Sequence, residues 1–506
     1  MSTPPLVLGI DVGTSGTKVL AVDSTGSVLA DSLTIHPSSS PKPGWSEQAP
    51  EDWVTGTMRG IRKVLGHPDV DAEAIAAIGL TGQMHGLVAL DEARSVIRPA
   101  ILWNDQRSAP QCLETEASLG LDFLLQHTGN RMLPGFTAPK LLWMREHEPD
   151  ALARIRHVLL PKDYVRFRLG SELAMDVSDA SGTSVFNCGK RTWSNSMLDA
   201  LELPESWWPD VAESSEVIDA LNPQMAEELG LRAGIPLVAG AGDQAASAVG
   251  TGIVEEGIIS ATLGTSGVVF ASSNTWRTTP EGSLHAFCHA IPGTWHLMGV
   301  MLSAAGSFDW FGRSVLPDVM QEAEARGDDP WDELCTRAAT IEPGSNGLFF
   351  LPYLTGERTP HVDPDARGCF VGLSPAHDRN HMTRAVLEGV TYGMRDCLDL
   401  VRATGVHAEV IRLSGGGAKG AMWRQLCADV FGCRTTTTTS TEGTAYGAAL
   451  LGGVGGGLWP DVPTACNKVI SERDQADPGE ACEAYERLHH RYRDLYPALH
   501  RWWSAK

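Results

Sequence analysis

The chain has 506 residues, more than one hydrophobic core usually holds, so at least two large domains are expected. Hydrophobic residues make up 42% and charged residues 20%, which is typical of a globular protein. The net charge of −22 argues against nucleic acid or an anionic membrane as a partner, because both bind basic surfaces.

The cysteines and the N-terminus indicate the cellular compartment. None of the ten cysteines forms a C-x-x-C pair, which argues against a disulfide framework or a zinc site. The first five residues lead directly into a strand-like run without a basic segment, and no apolar stretch approaches the ~20 residues of a membrane helix. We therefore expect a cytoplasmic protein without a signal peptide.

The N-terminus reads as a β-meander whose first turn can bind phosphate. Strand-like runs at 6–11 and 19–23 flank a turn of glycines and hydroxyls, and no Walker motif or following helix is present. Backbone N–H groups and small polar side chains of such a turn can hold phosphate oxygens: Gly13, Thr14, Ser15 and Lys18. Asp11, at the end of the first strand, would face a Mg²⁺ ion carried by those phosphates. A plain tight hairpin is the alternative.

The tetrapeptide GTSG occurs a second time, roughly half a chain length later, again between two strand-like runs. Long-range self-similarity of this kind indicates a duplicated unit. We therefore predict two related domains, each of which offers one hydroxyl-rich turn to the same phosphate chain. In the second domain the turn consists of Gly264, Thr265 and Ser266.

One acid stands at the start of a predicted helix. An apolar run from Leu237 ends on glycines before Asp243, and an alanine-rich stretch to Val249 follows. Ligands bind at such strand ends in open α/β sheets, and glycines let a substrate approach the backbone closely. The alternative is that Asp243 serves only as a helix N-cap.

Polar residues in two further strand-end loops suit the recognition of a sugar. Met84 and His85 lie between glycines, and the loop after Ile101 carries Trp103, Asp105 and Arg107. An apolar face can cover C–H groups while a few polar groups bind hydroxyls. Alternatively, His85 is structural and Asp105 forms a local ion pair with Arg107. The polar segment 176–183 is either pocket wall or surface.

The second half carries a glycine-rich turn, Gly415–Gly420, between a strand and a helix. It matches G-x-G-x-x-G, and Glu442 lies near the spacing of a dinucleotide acid. Such a unit usually lies near the start of a dehydrogenase, so Gly416, Gly417 and Ala418 are predicted to form a nucleotide seat. Trp310 is a candidate neighbour of the adenine or a core residue. The small-residue helix after Glu442 is expected to pack under the seat, and the charged helices after about Glu480 to be solvated.

These strings together resemble the FGGY family of carbohydrate kinases over nearly the whole chain. The matching strings are GIDVGTS at 9–15, GQMHG at 82–86, ILWND at 101–105, GFTAPKLLW at 135–143, GAGD at 240–243, LGTSG at 263–267, LTGERTPH at 354–361 and GGGA at 415–418. The resemblance implies an α/β fold of two actin-like (ribonuclease-H-like) domains around a central cleft. We place the sugar-binding domain with the catalytic base at 1–248 and the nucleotide-binding domain at 249–506.

The resemblance also implies ATP and Mg²⁺ as cofactors and phosphorylation of D-xylulose to D-xylulose 5-phosphate. Asp243 would be the general base, and Asp11 and Asp243 would hold Mg²⁺. The expected sugar ligands are Met84, His85, Trp103, Asp105, Asp243 and Gln244. Family members acting on xylulose often carry Asn at position 244, so ribulose, glycerol and gluconate remain alternative substrates.

Two alternatives belong to other functional classes: an NAD-linked oxidoreductase built on the Gly415 unit, and an actin-like sugar sensor without activity. The intact Asp243 argues against the sensor. The expected partners are a small-molecule sugar and ATP, with neither nucleic acid nor membrane. We also expect a homodimer.

Overall fold

The computed structural model describes residues 4–440 and 443–503. Up to residue 250 the strands are β1 (Leu6–Val12), β2 (Gly16–Asp23), β3 (Val28–Ile35), β4 (Glu47–Gln48), β5 (Ile75–Gly82), β6 (Val88–Leu90), β7 (Ala100–Ile101), β8 (His157–Leu159), β9 (Ala174–Asp176), β10 (Phe186–Asn187), β11 (Thr192–Trp193), β12 (Asp210–Ala212), β13 (Val217–Ala220), β14 (Pro236–Val238) and β15 (Ala241–Gly242). The helices are α1 (Pro50–Leu65), α2 (Ala109–Leu119), α3 (Leu121–Thr128), α4 (Thr137–His147), α5 (Pro149–Arg154), α6 (Pro161–Leu169), α7 (Val177–Ala180), α8 (Asn195–Ala200), α9 (Pro223–Leu229) and α10 (Asp243–Gly250).

Beyond residue 250 the strands are β16 (Ile258–Leu263), β17 (Gly267–Ser273), β18 (His285–Cys288), β19 (Trp295–Met301), β20 (Phe349–Leu351), β21 (Cys369–Val371), β22 (Val410–Ser414), β23 (Arg434–Thr438) and β24 (Glu472–Ala476). The helices are α11 (Ala305–Val315), α12 (Pro317–Arg326), α13 (Pro330–Ala338), α14 (Arg379–Ala403), α15 (Ala421–Phe431), α16 (Gly443–Gly455), α17 (Val462–Val469), α18 (Cys482–Arg493) and α19 (Leu495–Trp503).

Two seven-stranded mixed sheets share one plan. In the first, β1, β2 and β3 form an antiparallel meander, and β5 and β14 follow on the other side of β1 as parallel strands. In the second, β16, β17 and β19 form the meander, and β22 and β23 are the parallel strands. The predicted duplication and the two actin-like α/β units are therefore confirmed.

Each sheet has its own apolar core, and a third cluster joins the two halves. The central strands are buried on both faces, so β1 and β5 read as continuous apolar runs. Between the sheets, α10 packs against α16, and α16 also packs on β1 and β5. The two halves therefore share helices at their junction.

The contact of α16 corrects one expectation. Its first turn lines the cavity beside the Gly415 turn, but its body packs on the N-terminal sheet and on α10 instead of under the nucleotide seat. Glycines permit this approach: a Cβ at Gly447 would lie 1.8 Å from the carbonyl oxygen of Ala246, and one at Gly79 would lie 1.8 Å from that of Ala448. Glu442 lies outside the described residues.

The expectation of solvated C-terminal helices is wrong for one face of α18. Tyr485, His489 and Tyr492 are buried against the C-terminal core. The Tyr485 hydroxyl donates to Glu388 at 2.9 Å, and the His489 Nε2 lies 2.8 Å from the Asp396 carboxylate. Polar partners on α14 thus satisfy Tyr485 and His489, and this face of α18 is buried while its charged face meets solvent.

None of the helices in residues 4–440 and 443–503 combines the length and apolar character needed to cross a bilayer. All ten cysteines lie within those residues, and each is a free thiol.

Candidate active site

A cavity of about 730 Å³ opens between the two sheets. The N-terminal sheet contributes Asp11 and Lys18, α10 contributes Ser247, and Thr251 follows directly after that helix. The C-terminal half contributes the Gly415 turn, the threonines of β23 and the first turn of α16. The cavity therefore brings together two of the residues predicted from the first half and the predicted nucleotide seat.

The two GTSG turns occupy equivalent places in the two sheets. The first joins β1 to β2 and the second joins β16 to β17. Ser15, Thr265 and Ser266 are exposed. The backbone N–H groups of Ala304 and Gly306 donate to the Thr265 carbonyl at 2.9 and 3.2 Å, which fixes the second turn on the start of α11. Both turns can thus offer hydroxyls to a phosphate chain, as the sequence predicts.

The predicted cation of the first turn is already paired. The Lys18 ammonium lies 2.8 Å from the Asp31 carboxylate on the neighbouring strand β3. Lys18 still lines the cavity, so a phosphate would meet a lysine whose charge is partly neutralised. Its role as a phosphate ligand remains a prediction.

Asp11 lies near the end of β1, in register with Lys18 of β2 and Thr81 of β5. Its Oδ1 is buried without a hydrogen-bond partner among the described residues. Burial, and after it the charge of Asp243, raises the pKa of Asp11 to about 7. A cation would bind this unpaired oxygen and would offset the cost of burying its charge beside Asp243.

Mg²⁺ therefore fits Asp11, but only together with ligands from outside the protein. The described residues contain no group of three or more His, Cys, Asp or Glu side chains placed to hold a metal ion. Mg²⁺ keeps several waters and is usually bound by one or two carboxylates and the phosphates of its substrate. A site with Asp11 and its neighbour Asp243 matches that pattern.

Asp243 is the first residue of α10, and the N-cap position belongs to Gly242. The interpretation of Asp243 as a mere helix cap is therefore wrong. Burial raises its pKa to about 6, although hydrogen bonds from the side chain and backbone N–H of Gln244 lower it. The side chain of Gln244 thus binds the carboxylate that the sequence assigns as base.

Met84 and His85 lie in the loop that follows β5. A Cβ at Gly242 would come within 2.9 Å of the Met84 sulfur, so Met84 packs on the residue before Asp243. His85 has a left-handed backbone with a φ of 69°, a conformation that costs energy and is often found at functional sites.

The imidazole of His85 is held in one orientation. Its Nδ1 lies 3.1 Å from the Gly182 carbonyl oxygen, and its ring centroid lies 4.7 Å from that of Phe136. Burial holds the pKa of His85 well below its ordinary value, so the ring is neutral. Because a carbonyl only accepts, Nδ1 carries the proton and Nε2 remains an acceptor for a hydroxyl.

Trp103 and Asp105 have different surroundings in their shared loop. Trp103 is 42% exposed, and its Nε1 donates to the Thr14 hydroxyl at 3.0 Å. The Asp105 carboxylate is buried and accepts from the Ser46 backbone N–H at 2.6 Å and from Arg107 at 2.7 and 2.9 Å. The alternative of a local ion pair thus describes Asp105, whose oxygens already have protein donors.

The Gly415 turn connects β22 to α15 through a short 3-10 helix, Gly416–Lys419, and β23 runs parallel to β22. Gly416 is exposed with open space where a Cβ would be, while a Cβ at Gly417 would lie 2.8 Å from the Leu263 Cβ. Ala418 is buried and lines the cavity. The seat therefore rests on the strand that carries the second GTSG turn.

Trp310 lies on α11, is 38% exposed and stacks near Phe350 with 6.4 Å between the ring centroids. The residues that line the cavity do not include Trp310. Its contact with adenine remains a prediction.

The sequence reasoning missed a buried ionic cluster beneath Gly242. The Lys162 ammonium lies 2.6 Å from Asp163, 2.8 Å from Asp176 and 3.4 Å from Asp179. The segment 176–183, interpreted as pocket wall or surface, is buried throughout. The only signal was the unusual density of aspartates in apolar surroundings, because the lysine lies far from two of them in sequence.

A second missed lysine supports the His85 loop. The buried Lys140 ammonium donates to the carbonyl oxygens of His85 at 2.7 Å and Gly135 at 2.8 Å. Burial lowers the pKa of Lys140 to about 7. The left-handed turn at His85 is therefore held from below by a lysine of α4.

Both halves of the chain match models of one protein family. The family model "FGGY family of carbohydrate kinases, N-terminal domain" matches residues 6–250, and the C-terminal domain model matches 259–456. The xylulose kinase of Escherichia coli (strain K12) is 42% identical, with 98% of this chain and 99% of that protein covered.

Two solved structures share the architecture. A kinase from Brucella ovis is 39% identical with a TM-score of 0.90, covering 98% of this chain and 99% of the other. The gluconate kinase of Lactobacillus acidophilus is 25% identical with a TM-score of 0.91, covering 99% of each chain.

Proposed function

We propose that this chain, which belongs to the FGGY family of carbohydrate kinases, phosphorylates D-xylulose to D-xylulose 5-phosphate with Mg·ATP. The observation that carries this proposal is the position of Asp243. Its carboxylate has a pKa raised by burial to about 6, and its charge raises the pKa of Asp11 on the proposed phosphate side. The preceding residue, Gly242, packs against Met84 on the proposed sugar side.

Asp243 would accept the proton of the attacking sugar hydroxyl. A general base works best when its pKa lies near the working pH, and a pKa of about 6 leaves Asp243 ionised at pH 7. Gln244 would keep the carboxylate oriented through its hydrogen bonds. Phosphoryl transfer depends mainly on such positioning and on neutralisation of charge.

The remaining residues would bind and orient the two substrates. Met84, Trp103 and the neutral His85 would hold the sugar, with the Nε2 of His85 accepting from a hydroxyl. Thr14, Ser15, Thr265 and Ser266 would bind the phosphates, and Gly416–Ala418 would seat the nucleoside. Asp11 and Asp243 would hold Mg²⁺, which neutralises charge on the phosphates when bound. Closure of the two domains would exclude water, which otherwise competes with the sugar hydroxyl.

A substrate panel tests the proposal. ADP release is measured with Mg·ATP and each of D-xylulose, D-ribulose, glycerol and gluconate, with a sugar-free reaction as the blank. We expect the highest kcat/KM for D-xylulose. A clear preference for gluconate would replace the proposed sugar, in line with the gluconate kinase fold match.

The same assay addresses the other functional classes. Sugar-dependent ADP release excludes an inactive sensor, and a nicotinamide absorbance assay tests the oxidoreductase built on the Gly415 unit. Light scattering of the purified chain tests the proposed homodimer. The proposed domain boundary between 248 and 249 lies inside α10, where both residues are buried, and it stays a prediction.

A further inference from the structure

We propose that a buried network of three side chains, those of Lys162, Asp176 and Ser178, positions the base Asp243 by binding the backbone N–H of Gly242. The inference rests on the proposed function only in taking Asp243 as the base. None of the three residues is among those that line the cavity, so they would act through Gly242.

The chain of hydrogen bonds is continuous and closed to solvent. The Lys162 ammonium lies 2.8 Å from Asp176 Oδ1, and the Ser178 hydroxyl donates to Asp176 Oδ2 at 2.5 Å. The Ser178 Oγ in turn accepts from the Gly242 backbone N–H at 3.1 Å. Lys162, Asp176 and Ser178 are each at most 1% exposed. A buried network in which each member has its partners fixes one arrangement of the groups it joins.

The same carboxylate also holds the other side of the loop. Asp176 Oδ2 accepts from the Ser214 hydroxyl at 3.0 Å, and the Ser214 carbonyl accepts from the Gly240 backbone N–H at 2.9 Å. A Cβ at Gly240 would lie 3.5 Å from the Lys162 side chain. The backbone N–H groups of Gly240 and Gly242 therefore both bind serines whose hydroxyls donate to Asp176.

Lys162 is the cation that the three carboxyl groups of the cluster surround. Burial lowers the pKa of Lys162, but the attraction of Asp163, Asp176 and Asp179 outweighs burial and keeps the ammonium charged. Burial raises the pKa of Asp179 well above its ordinary value, and burial also raises the pKa of Asp163. Removing one partner from such a buried cluster leaves an uncompensated charge, which is strongly destabilising.

Ser178→Ala breaks the link to Gly242, and Ser214→Ala is the matched control. Each variant removes one hydroxyl that donates to Asp176. Ser178→Ala also removes the acceptor of the Gly242 N–H. Ser214→Ala removes no acceptor from the loop, because the Gly240 N–H donates to the backbone carbonyl of Ser214, which the variant keeps. The assay is steady-state ADP release with the best sugar of the panel, so an incorrect choice of D-xylulose leaves the comparison intact. Thermal unfolding is measured for both variants.

The expected result is a kcat loss of about tenfold for Ser178→Ala with little change in the KM for ATP, because small displacements of a reacting group are costly. Ser214→Ala should keep kcat within about twofold, and both variants should lose similar thermal stability. In Ser178→Ala the acid limb of the kcat–pH profile should keep its midpoint while the plateau falls, since the base is displaced and not titrated differently. Equal kcat values for the two variants would overturn the proposal. A loss that appears only in thermal stability, or only in the KM for ATP, would do the same.

Discussion

The two sheets have the same strand plan but carry different chemistry at equivalent points. In the N-terminal sheet, Asp11 of β1 lies opposite Thr81 of the parallel strand β5. In the C-terminal sheet, the equivalent Thr262 of β16 lies opposite Ser414 of β22, and the two hydroxyls are 2.9 Å apart. The first sheet therefore offers a carboxylate to a cation where the second offers only hydroxyls.

The loops after the parallel strands diverge in the same way. The first parallel strand leads to Met84 and His85 in the N-terminal sheet and to the Gly415 turn in the C-terminal sheet. The second parallel strand leads to Asp243 and α10 in one half and to the threonines before α16 in the other. A duplicated framework thus presents different loops at matching strand ends, and under the proposed function these differences would divide sugar binding from nucleotide binding.

The largest expected effect comes from removing Asp243, the acid that follows the second parallel strand of the N-terminal half. Asp243→Asn should lower kcat by about a thousandfold or more, because the amide keeps the shape but accepts no proton. ADP release at saturating sugar measures the loss, and ATP binding by fluorescence or calorimetry should persist. Asp309→Asn, which changes an exposed carboxylate on α11, is the control. Turnover near the parent level in Asp243→Asn would rule out the base assignment.

The next prediction tests the difference at the ends of β1 and β16. Asp11→Asn should lower kcat/KM for Mg·ATP by about a hundredfold and change its magnesium dependence, because a metal ligand is lost. Thr262→Ala at the equivalent point should cost about threefold or less, since it removes only a hydroxyl pair. A magnesium titration of both variants makes the comparison. Equal losses in the two variants would argue that the sheets do not divide their roles as proposed.

The sequence predicted the two repeated meanders well, but it did not predict how the helices at the junction of the two halves pack. The two meanders and their GTSG turns follow from alternating strand runs and glycine turns, which are local signals. The position of α16 depends on two glycines that lie far apart in sequence. Gly79 of β5 lets α16 approach at Ala448, and Gly447 of α16 lets α10 approach at Ala246. No local pattern contains that information.

The site divides in the same way. Asp243 was found because a glycine turn precedes a helix, whereas the Lys162 cluster joins residues from α6, β9 and α7 that no spacing rule connects. Asp105 was placed in the sugar site because its residue type suits hydroxyls. The structure instead pairs it with Arg107, a neighbour that the sequence already offered as the alternative.

A smaller effect is expected where the two halves meet. Gly447→Ala places a methyl group against the Ala246 carbonyl, and overpacking of this kind costs about 1–3 kcal/mol. The melting temperature should fall by several degrees, because about 1 kcal/mol shifts the melting temperature of a domain of this size by roughly 2–4 °C. Gly66→Ala is the control, since its Cβ would have no neighbour closer than 3.4 Å. An unchanged melting temperature in Gly447→Ala would indicate that α10 and α16 separate easily.

The smallest expected effects are those of pH on the two acids of the N-terminal half. Because burial raises the pKa of Asp243 to about 6, kcat should fall about tenfold per unit below pH 6 as the base becomes protonated. The pKa of Asp11 is raised to about 7, above its value in the unfolded chain, so the folded protein binds that proton more strongly. Its contribution to stability is therefore complete below about pH 4 and is lost as the pH rises towards 7. Denaturant unfolding of the metal-free protein at several pH values measures this slope, and Asp11→Asn should flatten it. If the variant kept the full slope, the raised pKa would belong to another group, and the buried oxygen of Asp11 would no longer explain why this half of the molecule receives the cation.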